Sequence, residues 1–364
     1  MGAAAKVPAF LCLQSPTKKT FFTIASLPYL SRSAERFPRC AVSFRRQNLN
    51  MAVQSQTGAI PDASLKSTNS FFETAIHNME KVYWSRNPTA KSVLDLVLSA
   101  DGNLICYDHF AYRTFGIDGY GIDSMSKFFL DFGYTTREEL RFPSKKLRAM
   151  WFAPPSYDSG RYFGGPLPRI FISELLVNEL SPQSQEVIKR YVKNSGNGNI
   201  HAALASVLGC LTWETPSYTD FQELSRESEY AAWTLVNGYV VNHVTISAHR
   251  LKTKIGNIKS LNQFIQDQGF KLNSEGGILK VSPDGLLLQS STVADSTLFN
   301  FADGVIESVP CSYIEFAERL VLPQYKNISK EEIKESHRRD GFEVGNADKI
   351  FESTSKDQLT RKSA

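Results

Sequence analysis

Among the six histidines of the chain, His109 and His243 stand in matching surroundings. Asp108-His109 and Asn242-His243 each lie inside a run dense in β-forming residues, and Glu315 lies in a third such run. Two imidazoles and one carboxylate from three strands are a sufficient set to hold ferrous iron while leaving positions open for a substrate and oxygen. With the two-residue period of a strand, Tyr107, His109, Ala111 and Arg113 share one face, so a ligand and a cation stand side by side; Cys106, Asp108, Phe110 and Tyr112 take the other. By the same parity Val241, His243, Thr245 and Ser247 share a face, as do Cys311, Tyr313, Glu315, Ala317 and Arg319. A lone strand histidine is more often a hydrogen-bonded core residue, but these two occupy equivalent places. The other four are poorer candidates: His77 is helical, His201 starts a helix, His337 sits in a polar tail, and His249 falls near the end of the His243 strand.

A second carboxylate, Glu174, separates two chemistries. Pointing inward, it would make a site of two His and two carboxylates, suited to redox-neutral metal-dependent isomerases and lyases of the glyoxalase type. Pointing away, it leaves three ligands and room for oxygen activation. Its parity has no anchor in the sequence.

The elements that must position these residues repeat. A helical N-terminal extension runs from Ser64, with Phe71, Phe72, Ala75, Ile76, Met79 and Val82 at a 3.6-residue period, and a second helix covers Ala90–Leu98. Strand Leu104–Phe115, helix Ile122–Phe132, and strands Glu138–Phe142, Leu147–Ala153 and Arg169–Val177 then form a βαβββ unit. The order recurs as strand Tyr239–Ala248, helix Ile258–Gln268, strands Ile278–Val281 and Leu286–Ser290 across a Pro283-Asp284-Gly285 turn, and a closing run Val309–Leu320. In this alignment Ile172-Ser173-Glu174 matches Tyr313-Ile314-Glu315. The fold class is therefore α+β: two βαβββ modules with a helical N-terminal extension and a helical insertion. The expected organisation is a transit peptide over 1–55 and a single catalytic domain over 56–364, with module one at 104–180, the insertion at 181–237, module two at 238–322 and a C-terminal tail at 323–364.

Charge distribution supports the leader. Residues 1–61 carry eight of the 41 Lys/Arg and a single acid, Glu35, leaving the other residues at a net charge of −3. A Ser/Ala/Arg-rich, acid-poor start reads as a transit peptide for the plastid stroma or, as the alternative, the mitochondrion. The remainder offers no basic stripe for nucleic acid and no apolar run long enough to span a membrane. Of five cysteines, Cys12 and Cys40 fall in the leader, and Cys106, Cys210 and Cys311 form neither a disulfide framework nor a C-x-x-C metal site.

Three stretches, Asp-His-Phe-Ala-Tyr-Arg-Thr-Phe-Gly (108–116), Val-Asn-His-Val-Thr (241–245) and Tyr-Ile-Glu-Phe-Ala-Glu-Arg (313–319), resemble the 2-oxoadipate dioxygenase/decarboxylase family of the vicinal oxygen chelate superfamily, as a plant plastid member. The tail Arg-Arg-Asp-Gly-Phe-Glu-Val-Gly-Asn-Ala-Asp-Lys-Ile-Phe-Glu-Ser-Thr strengthens the likeness. The resemblance implies an Fe(II) enzyme converting the small-molecule 2-oxo diacid 2-oxoadipate and O2 to 2-hydroxyglutarate and CO2. It implies His109, His243 and Glu315 as metal ligands, with His109 also at the substrate, and Arg113 as the catalytic residue binding a substrate carboxylate. Glu315 is preferred over Glu318 because it opens an E-x-x-x-R motif with Arg319, as in related 4-hydroxyphenylpyruvate dioxygenases. Where bacterial relatives carry a substrate-contacting Val-Ser pair, the tail aligns as Gly345-Asn346. That pair offers a backbone amide and a side-chain amide to substrate, though Gly-Asn is also an ordinary turn. The alternatives are the redox-neutral isomerase or lyase using Glu174, and a non-catalytic plastid scaffold with the same fold.

Overall fold

The computed structural model describes residues 63–102, 105–117, 119–157, 165–195 and 201–360. The expected transit peptide and its cleavage site lie outside the described residues.

Helices α1 (Ala63–Arg86) and α2 (Pro88–Asp101) lead into β1 (Tyr107–Phe115), α3 (Ile122–Asp131), β2 (Thr135–Phe142), β3 (Leu147–Ala153) and β4 (Arg169–Leu175). Four helices follow: α4 (Pro182–Asn194), α5 (Ala202–Leu208), α6 (Tyr218–Glu227) and α7 (Glu229–Asn237). Then come β5 (Val241–Ser247), α8 (Ile258–Asp267), β6 (Lys280–Val281), β7 (Leu287–Ser291), β8 (Ser296–Asn300), β9 (Ile306–Pro310) and β10 (Tyr313–Arg319). The tail adds α9 (Val344–Phe351) and α10 (Lys356–Thr360).

Eight strands form one sheet in the order β2-β3-β4-β1-β5-β10-β7-β6. Each module places its closing strand parallel to its opening strand, β1 with β4 and β5 with β10, and the modules join through the antiparallel pair β1–β5. The two opening strands are thus central and covered on both faces. Every residue of β1 and β5 is buried, which is why they lack the polar alternation of a half-exposed strand.

The expected strand Val309–Leu320 is in fact two. Pro310, which has no amide hydrogen for a ladder, ends β9, and the chain turns before β10 begins at Tyr313. β9 pairs with β8 as a separate ribbon.

Strand parity also needs correction at β1. In the β1–β5 ladder, Asp108 is an extra residue on β1 and Asn242 an extra residue on β5, two bulges related by the repeat. A bulge disrupts the alternation of faces. Asp108 therefore bonds its own neighbour His109, while Tyr107, expected on the His109 face, reaches Glu80 of α1.

The ladders also shift the repeat alignment by three residues. Ala111 pairs with Phe171 as Thr245 pairs with Glu315, so the counterpart of Glu315 is Phe171, and that of Glu174 is Glu318. The helix caps agree: Glu174 accepts the Ile122 amide at the start of α3 (2.8 Å), and Glu318 accepts the Ile258 amide at the start of α8 (2.9 Å). Each carboxylate satisfies a donor that the first helical turn leaves unpaired.

Candidate metal centre

Three adjacent central strands supply the site. His109 from β1 and Glu315 from β10 both pair with Thr245 of β5, and His243 lies two residues from Thr245 on the same strand. Nε2 of His109 lies 3.3 Å from Nε2 of His243. Oε2 of Glu315 lies 3.0 Å from His243 Nε2 and 3.7 Å from His109 Nε2. All three separations are short enough for the three donors to reach one ion through bonds of about 2.1 Å.

The partners behind the donors decide where the protons sit. Asp108 Oδ1 lies 2.8 Å from His109 Nδ1, and Asn242 Oδ1 lies 2.9 Å from His243 Nδ1. With both Nδ1–H groups donating outward, both Nε2 lone pairs face the carboxylate oxygen. The Thr245 hydroxyl, 3.0 Å from His109 Nε2, is one donor for these acceptors. Three converging buried acceptors suit a cation by their chemistry, and these three residues form a cluster able to hold a metal ion.

Electrostatics keep the set in ligating form. Burial pushes the His243 imidazolium down to about 4, so the ring is neutral near pH 7. Burial opposes ionisation of Glu315, and the Gln289 amide donating to its Oε1 favours it. Asp108 is buried too, yet Arg319 and Arg169 keep it well below the usual carboxylate range. Arg319 grips Asp108 with two bonds (2.6 and 2.9 Å) and donates to the Gly341 carbonyl (2.7 Å), linking the His109 support to the tail.

Glu174 is not part of the cluster. Arg148 and the α3 amide hold it elsewhere, and Phe171 occupies the place a fourth carboxylate would take by repeat symmetry. His249 is occupied by Glu335 at 3.2 Å, and Glu318 caps α8.

Arg113 is buried in an aromatic box of Trp233, Tyr230 and Phe351, whose ring centroids lie 4.9, 5.1 and 5.7 Å from its Cζ. Its contact with the Phe351 carbonyl is long, at 3.4 Å, and Nε has no well-formed acceptor among the described residues. Among the described residues no carboxylate pairs with it. Burial accordingly lowers the pKa of its guanidinium.

Gly345 and Asn346 lie in α9 rather than in a turn. Asn346 donates to Gln289 Oε1 (3.0 Å), whose amide donates to Glu315 Oε1 (2.7 Å). Asn346 therefore braces the carboxylate from behind, and neither residue lines the small cavity beside the three donors. That cavity, about 20 Å³, is walled by Phe171, Phe342, Ala347, Ile350 and Phe351 with His109, His243, Gln289 and Glu315. The Phe342 ring stands against both His109 and Phe171 (4.8 and 4.9 Å between centroids).

Sequence reasoning missed Gln289, Arg169 and Phe171. Gln289 and Arg169 are polar residues in buried strands, a signal the sequence does carry; the role of Phe171 emerges only from the ladders.

The paired βαβββ modules form an α+β fold of the vicinal oxygen chelate type. The chain is 68% identical over 323 residues to "2-oxoadipate dioxygenase/decarboxylase, chloroplastic/amyloplastic" of Oryza sativa subsp. japonica, covering 88% of this chain and 89% of that protein. It is 59% identical over 352 residues to the chloroplastic protein of the same name in Arabidopsis thaliana, covering 93% of each. A crystal structure of hydroxyglutarate synthase from Oryza sativa in complex with 2-oxoadipate superposes with a TM-score of 0.79 at 67% identity, covering 86% of this chain and 100% of that one. Residues 75–331 match the family model for 2-oxoadipate dioxygenase/decarboxylase, and with these relatives the match shows that the chain belongs to that family.

Proposed function

We propose that this chain is a non-haem Fe(II) 2-oxoadipate dioxygenase/decarboxylase, converting 2-oxoadipate and O2 to 2-hydroxyglutarate and CO2. The observation that carries the reading is the three-acceptor cluster with Phe171, not a carboxylate, at the fourth place. When bound, Fe(II) supplies open positions at which the 2-oxo acid chelates and O2 is activated.

The chain's own groups do the rest. His109, His243 and Glu315 hold the ion, and Asp108, Asn242 and Gln289 fix the orientation of those three. Arg113, already desolvated and lacking a counter-ion, takes the carboxylate farthest from the metal and so sets the direction in which the diacid lies. Phe171, Phe342, Ile350 and Phe351 keep bulk water from the reacting end. A cavity of about 20 Å³ has room for about one water, so the tail side chains of α9 move outward when a six-carbon diacid enters. Asn346 acts through Gln289, keeping Glu315 in place. The redox-neutral alternative lacks its fourth ligand, since Glu174 is committed to Arg148 and α3.

The acid-poor N-terminus and the names of the rice and Arabidopsis relatives support a plastid location, which N-terminal sequencing of protein isolated from plastid stroma tests. The function is tested by removing metal, restoring Fe(II) without oxygen, and then following O2 uptake and CO2 release over a panel of 2-oxo acids. The expected result is one CO2 per O2 with 2-oxoadipate, and loss of both metal and turnover in His243→Ala and Glu315→Ala. Turnover of 2-oxoadipate without O2, or full activity in His243→Ala, overturns the assignment.

A further inference from the structure

Tyr313 opens β10 two residues before Glu315, and in the sheet it pairs with His243, which pairs on its other side with Ala111. A row of three neighbouring side chains thus runs across the central strands, with Arg113 two residues farther along β1. The Tyr313 ring stacks on His243, with 4.8 Å between centroids and 23° between planes. It also packs with Ile350 of α9, a wall residue of the metal cavity.

What the ring carries is unexplained by packing. Tyr313 is 1% exposed, and among the described residues its hydroxyl has no acceptor. The other phenols around it are satisfied: Tyr230 bonds the Ser173 hydroxyl and Tyr83 bonds the Tyr313 carbonyl. Leaving a buried hydroxyl unpaired is costly and rare. Arg113 Nε is also buried with no acceptor among the described residues, and the guanidinium stands close enough to interact with the phenol oxygen, a contact that leaves the Tyr313 O–H without an acceptor of its own. Two adjacent donors with no acceptor between them, one neutral and one cationic, form a receptor for a group with two acceptor oxygens.

We propose that the Tyr313 hydroxyl and Arg113 Nε together receive the carboxylate farthest from the metal, which makes Tyr313 a specificity residue for 2-oxo diacids. The proposal rests on the diacid reading of the site. The hydroxyl selects for a carboxylate end because a methyl end would leave both donors buried and unpaired. Stacked on His243, the ring also ties the diacid receptor to a metal-binding residue, fixing the span between the two ends of the substrate.

Tyr313→Phe removes the oxygen and keeps the ring on His243. The measurements are kcat and KM for 2-oxoadipate and for the monoacid 2-oxohexanoate, metal content, and anaerobic equilibrium binding of both acids to the metal-loaded protein. Loss of one hydrogen bond to a charged group is expected to raise KM and Kd for 2-oxoadipate by about 10- to 100-fold, with kcat changed by less than about threefold. Metal content and the constants for 2-oxohexanoate are expected to stay at wild-type values. A variant that still prefers the diacid as strongly as the wild type overturns the role of Tyr313, as does an equal loss for both acids accompanied by loss of metal. If the wild type itself binds 2-oxohexanoate as well as 2-oxoadipate, the diacid reading fails, a result distinct from failure of the Tyr313 role.

Discussion

Replacing Arg113 by Met separates function from stability, because the guanidinium is held at a cost to the free protein. Complete desolvation of an ion costs several kcal/mol, and the burial of Arg113 is close to complete, at 2% exposure. Against this stand three aromatic rings at 4.9 to 5.7 Å, each contributing about 0.5 to 2 kcal/mol, and one long bond to the Phe351 carbonyl. These terms roughly cancel. Met keeps most of the stem volume and removes the charge, so Arg113→Met is expected to melt within about 2 °C of the wild type or higher. The substrate loses more. A charge-assisted pair contributes about 1.5 to 3 kcal/mol, so kcat/KM for 2-oxoadipate should fall by about 10- to 150-fold. Metal content should not change, and 2-oxohexanoate should be turned over as by the wild type. The assay combines oxygen uptake, metal analysis and thermal melting with and without 2-oxoadipate; the stabilisation given to the wild type by saturating diacid should largely vanish. A variant that melts more than about 5 °C lower, or loses the diacid and monoacid reactions equally, would refute the argument and make Arg113 a structural member of the aromatic box.

Glu174→Gln is expected to retain metal and oxygen uptake within about threefold while costing about 1 to 2 kcal/mol in a denaturant melt, since it loses the ion pair to Arg148 and weakens the α3 cap. Phe171→Glu puts a carboxylate at the fourth place, and metal analysis with oxygen uptake should find metal retained and turnover lowered by at least about tenfold; unchanged turnover would contradict the repeat alignment. Acid should weaken the fold through His249 and Glu335. Burial depresses the His249 pKa, so as pH falls below about 6.5 the unfolded chain takes up a proton that the folded one refuses, and stability drops. Glu335 is held well below its ordinary value by His249, Arg169 and Arg250 despite its burial, so its contribution is present above about pH 4.5 and is lost as pH falls further. Urea melts from pH 7 to 4 should show both losses, and Glu335→Gln should flatten the lower part of the curve while costing about 3 kcal/mol at pH 7.

How much was legible in the sequence can be judged from particular residues. Residue type and period singled out the two βαβββ modules, the helical insertion, and the trio His109, His243 and Glu315 as candidates, because hydrophobic periodicity and repeated local motifs are properties of neighbouring residues. Arg113 could be singled out in the same way. Only the tertiary structure decided the direction of Glu174, since parity within a strand gives two faces without saying which is inward, and the neighbour that settles it, Arg148, is brought there by the β3–β4 pairing. The bulges at Asp108 and Asn242 exist only between two strands, so no count along one strand reveals that each residue supports the histidine after it. The counterpart of Glu315 likewise depended on ladder register, which moved it from Glu174 to Phe171. Local propensity sets which elements form, whereas ladder register and the burial of unpaired polar groups are set between segments far apart in the chain, and which carboxylates face the candidate site rests on the latter.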